Sequence, residues 1–343
     1  MSESFLRRAL NGHVLDQEQA RSVFEEMSRG ELSEIEIAAF LGALHARGEQ
    51  PSEIAGAAEA FRSAAQHFTT TAPDVIDVVG TGGDGVGTIN ISTASAFVAA
   101  SMGLKVAKHG NRAVSSKAGA ADLVEAAGIP LDLSPASSAT LLERTGFCFL
   151  FAQKYHPAMR YVAPVRGALK NPTIFNLIGP LVNPAPLSYQ VLGVGKPELL
   201  DVVAKALASL GLKHALVIHG SGTDEFAVHG PTEIREITQE GIASFTLTPE
   251  ELGITPAPLS KLVGGDAEEN LRLISEIFAG KGAPAQREAI AATSGAMLYL
   301  AGKAKSLNQG TELALSQLSS GAVASHLDTI VSTARELKEQ DNQ

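Results

Sequence analysis

The 343-residue chain has one cysteine, no excess of positive charge and no apolar run long enough to cross a bilayer. A single cysteine permits no intrachain disulfide, so the sequence fits a reducing compartment. That residue, Cys148, lies in the run Phe147-Cys148-Phe149-Leu150-Phe151 and reads as a small buried hydrophobe rather than a nucleophile. The balance of 27 Lys plus Arg against 37 Asp plus Glu, a net −10, argues against nucleic acid or an anionic membrane surface as partner. The softest stretch, 94–104, carries Ser95 and Ser101 and falls short of the roughly 20 residues a membrane helix needs. The opening MSESFLRRALNGHVL lacks the apolar core of a signal peptide, and a soluble, cytoplasmic protein is expected. Internal repeats are missing. So is any HExxH or Cys–His zinc pattern, and His214, His219 and His229 read as ordinary strand or loop residues. Ser221, preceded by His219-Gly220, does not sit in a Gly-x-Ser-x-Gly elbow.

What is present is a chain with 45% hydrophobic residues, enough for about two domains. Its first seventy residues read as helices. Asp16-x-x-Gln19 and Ser33-x-x-Glu36 are capping-box patterns ahead of amphipathic runs, and Pro51-Ser52 opens an alanine-rich third segment. Thr69 to Pro73 is a linker by composition. Beyond it, short β-branched runs alternate with helices: strands near 75–79, 104–107, 147–151, 189–194 and 215–219, and helices over 93–102, 119–127 and 198–210. This alternation predicts an α/β domain with a mostly parallel sheet. Shorter alternating runs between 220 and 250 suggest antiparallel edge strands, and the tail from Asp266 reads as helical. The expected architecture is a helical domain over 1–70 and an α/β domain over 74–343.

The densest signal is Gly80-Thr-Gly-Gly-Asp-Gly-Val-Gly-Thr88, between a strand and the helix opened by Asn90-Ile91-Ser92-Thr93. Glycines let backbone N–H groups approach an anion, and a helix N-terminus adds unpaired donors. Gly80-x-Gly82-x-x-Gly85 formally fits the dinucleotide fingerprint, but the next strand ends in Lys108-His109-Gly110-Asn111 where that fingerprint wants an acid. Val86-Gly87-Thr88 lacks the lysine of a P-loop. A flexible turn is the bland alternative; phosphate binding outside the standard nucleotide motifs is favoured. The second loop, Lys108 to Lys117, should face the same crevice, with Lys108, Arg112 and Lys117 supplying charge and Ser115, Ser116 and the Gly110 backbone supplying donors.

These loops, together with FLFAQKYHPAMRYVAPVRGALKNPTIFNLIGPLVNP (149–184) and VIHGSGTDE (217–225), resemble the anthranilate phosphoribosyltransferase family. The resemblance runs in order along nearly the whole chain. It implies a small helical domain joined to a larger α/β domain, with a helical hinge segment around 166–186, and homodimers formed through the helical domain. The implied reaction passes the phosphoribosyl group of 5-phosphoribosyl 1-diphosphate to the amine of anthranilate, a step of tryptophan biosynthesis. By motif, Gly80, Gly83, Asp84 and Thr88 belong to the diphosphate loop, Gly80 also facing anthranilate. Asn90, Ile91, Ser92 and Thr93 meet the diphosphate and ribose. Lys108, His109, Gly110, Asn111, Arg112, Ala113, Val114, Ser115, Ser116 and Ala120 bind the phosphoribosyl moiety, and Asn111 and Arg166 contact anthranilate. Lys108, Asn111 and Arg166 would act by electrostatics and positioning, with no covalent nucleophile. Ser92, Asp224 and Glu225 would hold Mg²⁺, two ions per monomer. The chain departs from the family at Ala118-Gly-Ala-Ala-Asp122, where Ser-Gly-Ser-Ala-Asp is common, so a hydroxyl is missing at Ala120.

The chemistry suits these residue types. Displacing pyrophosphate builds charge on both fragments, which positioned charges and a hard cation on carboxylates can stabilise. An arginine fork suits the carboxylate of anthranilate, and His156-Pro157 reads as a helix cap near the site. Two other readings are a pyrimidine nucleoside phosphorylase-like enzyme and a non-catalytic nucleic-acid-binding relative. The Asn-Arg-Ala-Val-Ser-Ser loop disfavours the first, and the acidic chain disfavours the second. The acidity is itself uneven. Residues 85–121 hold four cations and no acid, and 144–197 hold six and no acid, leaving −20 on the remainder. Both acid-free windows carry motifs assigned to the anionic substrates, so cations are expected to focus potential there.

Overall fold

Asp16 and Ser33 each open a helix by the reciprocal bonding their sequence pattern predicts. Gln19 N–H donates to Asp16 Oδ1 at 2.9 Å, and Glu36 N–H donates to Ser33 Oγ at 3.3 Å while Ser33 N–H donates back to Glu36 Oε2 at 2.8 Å. The computed structural model describes residues 2–113 and 117–343. It resolves into two units, one formed by Met1–His67, Gln153–Pro184 and Asp201–Gly211, the other by Phe68–Ala152, Ala185–Leu200 and Leu212–Gln343.

The first unit is helical. Its N-terminal helices are α1 (Ser2–Leu10), α2 (Gln17–Arg29), α3 (Glu34–Arg47) and α4 (Pro51–Ser63). At Gly56 the backbones of α2 and α4 approach so closely that a Cβ would collide with the Gln17 carbonyl. Phe24, Phe40, Phe61 and Phe175 meet edge to face, with centroids 5.0–6.1 Å apart. His156 stands at the N-cap position of the 3₁₀ turn Pro157–Tyr161, but its side chain does not cap it. Burial pushes this imidazole down to about 4. Glu53 is fully buried at the start of α4. It accepts from the N–H groups of Leu15 and Gln50, both at 3.1 Å, and pairs with Arg47.

The second unit is built on a seven-stranded sheet in the order β3-β2-β1-β4-β5-β6-β7. The strands are β1 (Val75–Gly80), β2 (Lys105–Gly110), β3 (Phe147–Phe151), β4 (Leu187–Gly193), β5 (His214–Gly220), β6 (Thr232–Thr238) and β7 (Gly241–Leu247). The first five run parallel; β6 and β7 are antiparallel. Parallel strands covered on both faces should be continuously apolar, and Val75, Ile76, Val78, Val106, Val191, Leu216, Val217 and Ile218 are buried accordingly. Cys148 is buried in β3, and burial raises its thiol, as an inert core residue requires.

Helix α5 (Ile91–Ser101) starts two residues earlier than its apolar pattern suggests, because Asn90 takes the N-cap position. β2 extends three residues beyond its β-branched core and so carries Lys108 and His109 inside the sheet. From β1 the order proceeds one way to β2 and β3 and the other way to β4 and β5. The carboxyl ends of β1 and β4 therefore form the topological switch point where open α/β sheets bind ligands. Among the described residues no helix is long and apolar enough to cross a membrane.

Glu53→Ala should strand two buried amides and Arg47. A loss of about 3–5 kcal/mol of unfolding free energy is expected for removing one partner of such a pair. Denaturant titration checks this, and a wild-type midpoint would contradict it.

Candidate functional site

At the switch point Gly80 and Gly193 are register partners, and the glycine loop leaves β1 there. Thr81 N–H donates to Gly193 O at 2.9 Å, and Gly195 N–H donates to Thr81 Oγ1 at 3.1 Å, tying the loop's first residues to the end of β4. Gly82, Gly83, Gly85 and Gly87 all have φ between 66° and 81°, which side-chain-bearing residues seldom adopt. The far end is fixed as well. Thr88 forms an antiparallel bridge with Val263, and Gly264 N–H donates to Gly87 O at 3.0 Å. Asn90 donates to Ala118 O at 3.1 Å and accepts from Asn270 Nδ2 at 2.9 Å. Helix α5 thus begins beneath the glycine loop with its first-turn donors at the carboxyl edge of the sheet.

The turn after β5 brings Asp224 and Glu225 to the same place. Gly82 N–H donates to Asp224 Oδ2 at 2.7 Å, and Ser92 Oγ donates to Glu225 Oε1 at 2.7 Å. The Asp224–Glu225 segment is crowded by backbone that tolerates only glycine. A Cβ on Gly80 would collide with the Asp224 carboxylate, on Gly193 with the Asp224 carbonyl, and on Gly220 with the Glu225 carbonyl. Burial, then the neighbouring Asp84, push Asp224 up to about 6. Burial, then Asp224, push Glu225 up to about 8, against the downward pull of the Ser92 hydroxyl and Lys108. Two carboxylates in one buried place cannot both ionise freely without a cation.

The second loop differs from its sequence reading. Lys108 was expected to line a phosphate-binding loop; instead it is buried within β2 and donates from Nζ to Val78 O at 2.7 Å. Burial lowers its ammonium, while Asp77 and Glu225 raise it. It is an internal countercharge under the turn rather than a solvent-facing cation. His109 is also buried, its N–H donating to Asp77 Oδ1 at 3.3 Å. Arg112 is exposed but engaged, bonding Asp122 at 3.0 Å and Glu125 at 2.8 and 3.0 Å. Those carboxylates raise its guanidinium further above the ordinary arginine range. Asp122 also accepts from the N–H groups of Ala113 at 3.0 Å and Gly119 at 2.8 Å, curling the loop around one carboxylate. Gly110 ends β2, Asn111 is exposed, and Ala120 opens the short helix Ala120–Ala126. Val114, Ser115 and Ser116 lie outside the described residues.

Arg166 belongs to the helical unit, in the helix Ala163–Leu169. It is half-buried with its guanidinium 5.6 Å from the Phe175 ring centroid, and burial lowers its pKa. Sequence reasoning missed Thr81, Gly193, Gly195 and Asn270. The Gly193-Val-Gly195 step at a strand end was a visible signal for two of them; nothing local marks Asn270.

Residues 72–324 match the glycosyl transferase family, a/b domain, and residues 3–65 match the glycosyl transferase family, helical bundle domain. The fold and site are those of a two-domain glycosyl transferase. The chain is 48% identical over 322 residues to the anthranilate phosphoribosyltransferase of Idiomarina loihiensis, covering 94% of this chain and 96% of that protein. It is similar to the crystal structure of anthranilate phosphoribosyltransferase from Thermus thermophilus at a TM-score of 0.92 and 45% identity, covering 96% and 99% of the two chains. The Saccharomyces cerevisiae enzyme in complex with PRPP and Mg superposes at a TM-score of 0.89 with 26% identity, covering 98% of each. The chain belongs to the anthranilate phosphoribosyltransferases.

Glu225 is raised in the folded chain from 4.5 to about 8, so its favourable contribution is full below about pH 4.5 and is lost as pH rises through about 8. In cation-free buffer the unfolding free energy of the wild type should therefore fall from about pH 5 to about pH 8.5 relative to Glu225→Gln, by roughly a few kcal/mol. Parallel pH profiles for the two proteins would contradict this.

Proposed function

We propose that the chain transfers the phosphoribosyl group of 5-phosphoribosyl 1-diphosphate to the amine of anthranilate, giving N-(5-phosphoribosyl)anthranilate and pyrophosphate for tryptophan biosynthesis. The observation that carries this reading at the level of chemistry is the pair of half-buried Asp224 and buried Glu225, held under a glycine loop by Gly82 N–H and Ser92 Oγ. Pushed-up carboxylates beside a hydroxyl suit a divalent cation. Among the described residues no group of three or more His, Cys, Asp or Glu side chains could hold a metal. Mg²⁺ needs only one or two carboxylates when substrate phosphates and water complete its shell. The yeast relative's complex with PRPP and Mg supports the same choice.

Asp224, Glu225 and Ser92 would hold the cation, two ions per monomer, and Mg²⁺ bound there with the donor would stabilise charge on departing pyrophosphate. Gly80, Gly83, Asp84 and Thr88 frame the loop against the diphosphate, where glycine φ values leave backbone amides uncovered by side chains. Asn90, Ile91, Ser92 and Thr93 present the first turn of α5. Gly110, Asn111, Arg112, Ala113 and Ala120, with Val114, Ser115 and Ser116, receive the phosphoribosyl moiety. For Arg112 this requires exchanging Glu125 for a phosphate. Lys108 and His109, buried in β2, support this surface from beneath. Asn111, Gly80 and Arg166 take anthranilate, the Arg166 fork engaging its carboxylate. The neutral aromatic amine is itself the nucleophile, so the protein's contribution is orientation and electrostatics. The enzyme is proposed to work in the cytoplasm as a homodimer formed through its helical domain.

Consumption of anthranilate fluorescence tests these roles. Asp224→Asn and Glu225→Gln should cut turnover at low magnesium about 10–100-fold, with part recovered by raising magnesium. Arg166→Ala should raise the Michaelis constant for anthranilate about tenfold or more while leaving that for the donor near wild type, as loss of a charge-assisted fork implies. Wild-type magnesium dependence, or an equal rise in both constants, would overturn the assignments.

A further inference from the structure

Two strand-end segments of the α/β unit meet at one imidazole. His219, the penultimate residue of β5, is buried. Its Nδ1 lies 2.8 Å from Val194 O, and Gly222 N–H donates to its Nε2 at 3.0 Å. A carbonyl can only accept and an amide N–H can only donate. The ring must therefore be neutral with its proton on Nδ1, the one tautomer that satisfies both neighbours.

Val194 is followed by Gly195, whose N–H bonds Thr81 at the root of the glycine loop. Gly222 lies in the turn that ends in Asp224, and Asp224 accepts from Gly82 N–H in that same loop. Glycine loop, end of β4, imidazole, turn and carboxylate thus form a closed circuit, with His219 bridging the two strand ends. The turn calls for such an anchor, because Ser221 holds φ 49° and Gly222 φ 98°. It is also held at Ser221, whose carbonyl lies 3.0 Å from His229 Nε2 and whose Oγ donates to Pro231 O at 2.7 Å, and at Thr223, whose Oγ1 donates to Gly220 O at 2.9 Å and whose carbonyl accepts from Gly220 N–H at 3.0 Å.

We propose that His219 is a positioning residue for the phosphoribosyl transfer, fixing the turn so that Asp224 and Glu225 stay under the glycine loop. The proposal rests on the reading of those carboxylates as the cation-holding pair. His219 does not touch the reacting groups; it acts through the Gly222 amide, as outer partners of metal ligands do.

The test compares His219→Phe, which fills the space but neither donates nor accepts, with His219→Gln, whose amide oxygen can take the place of Nε2. Amide hydrogen exchange over 80–84 and 220–225 is followed in cation-free protein, and the magnesium concentration for half-maximal turnover is measured at saturating substrates. His219→Phe should exchange faster in both segments and need roughly 10–100-fold more magnesium, with the Michaelis constant for anthranilate unchanged. His219→Gln should recover most of the loss. Wild-type exchange and magnesium response in His219→Phe would overturn the proposal, as would equal damage in both variants. If His219→Phe does not fold, nitrogen NMR of the wild-type imidazole decides: a proton on Nδ1 supports the role, a proton on Nε2 overturns it. If Glu225→Gln leaves magnesium dependence untouched, the metal reading fails, while the exchange data still report whether His219 holds the turn.

Discussion

Two adjacent acidic side chains at the carboxyl edge of a parallel sheet, Glu225 buried and Asp224 half-buried, set the terms for everything around them. Burial and Asp84 raise Asp224, burial and Asp224 raise Glu225, and the surrounding chain holds them with directed bonds from Gly82 N–H and Ser92 Oγ. That packing explains residues that otherwise look unrelated. Gly80, Gly193 and Gly220 lack side chains because a Cβ at each would occupy space taken by the Asp224–Glu225 turn. Lys108 spends its charge inside the sheet because Asp77 and Glu225 share the same dry region.

The charge distribution follows the same logic. The chain is acidic overall, yet its two acid-free windows supply the loops proposed to meet anionic substrates. The cations there are not simply displayed. Lys108 is buried as a countercharge and Arg112 is bound by Asp122 and Glu125. The Val78 carbonyl holds Lys108, and Asp122 and Glu125 hold Arg112, in defined positions in the ligand-free chain; a phosphate at the proposed site would compete with Glu125 for Arg112. Preorganisation of this kind lowers the cost of ordering a substrate at the price of breaking one exposed ion pair, itself worth little.

Much of this was legible in the sequence because the signals are local. The capping boxes at Asp16 and Ser33, the β-branched strands and the glycine loop each depend on a few neighbouring residues, and each appears where its pattern lies. The mixed sheet was legible too, since the alternating pattern over 232–247 differs from the continuous apolar runs of the buried strands. The depth of Lys108 was not, because a lysine after a β-branched core looks like a loop residue until Asp77 and Glu225, distant in sequence, supply its burial with partners. Nor was His219, whose role depends on Val194 and Gly222 arriving from two different strand ends. The recruitment of 201–211 into the helical unit is likewise a long-range result that no local pattern announces.

On the proposed reading, the Asp224–Glu225 pair would make the binding of donor and cation a single, proton-linked event. Calorimetric titration of 5-phosphoribosyl 1-diphosphate at about pH 7.5, in two buffers of different ionisation enthalpy, with magnesium or with chelator, addresses this directly. Glu225 raised to about 8 must shed its proton to accept a cation. Tight binding is therefore expected only with magnesium, with proton release that falls sharply in Glu225→Gln. Equal affinity in chelator, with no Glu225-dependent proton release, would contradict the role of the pair.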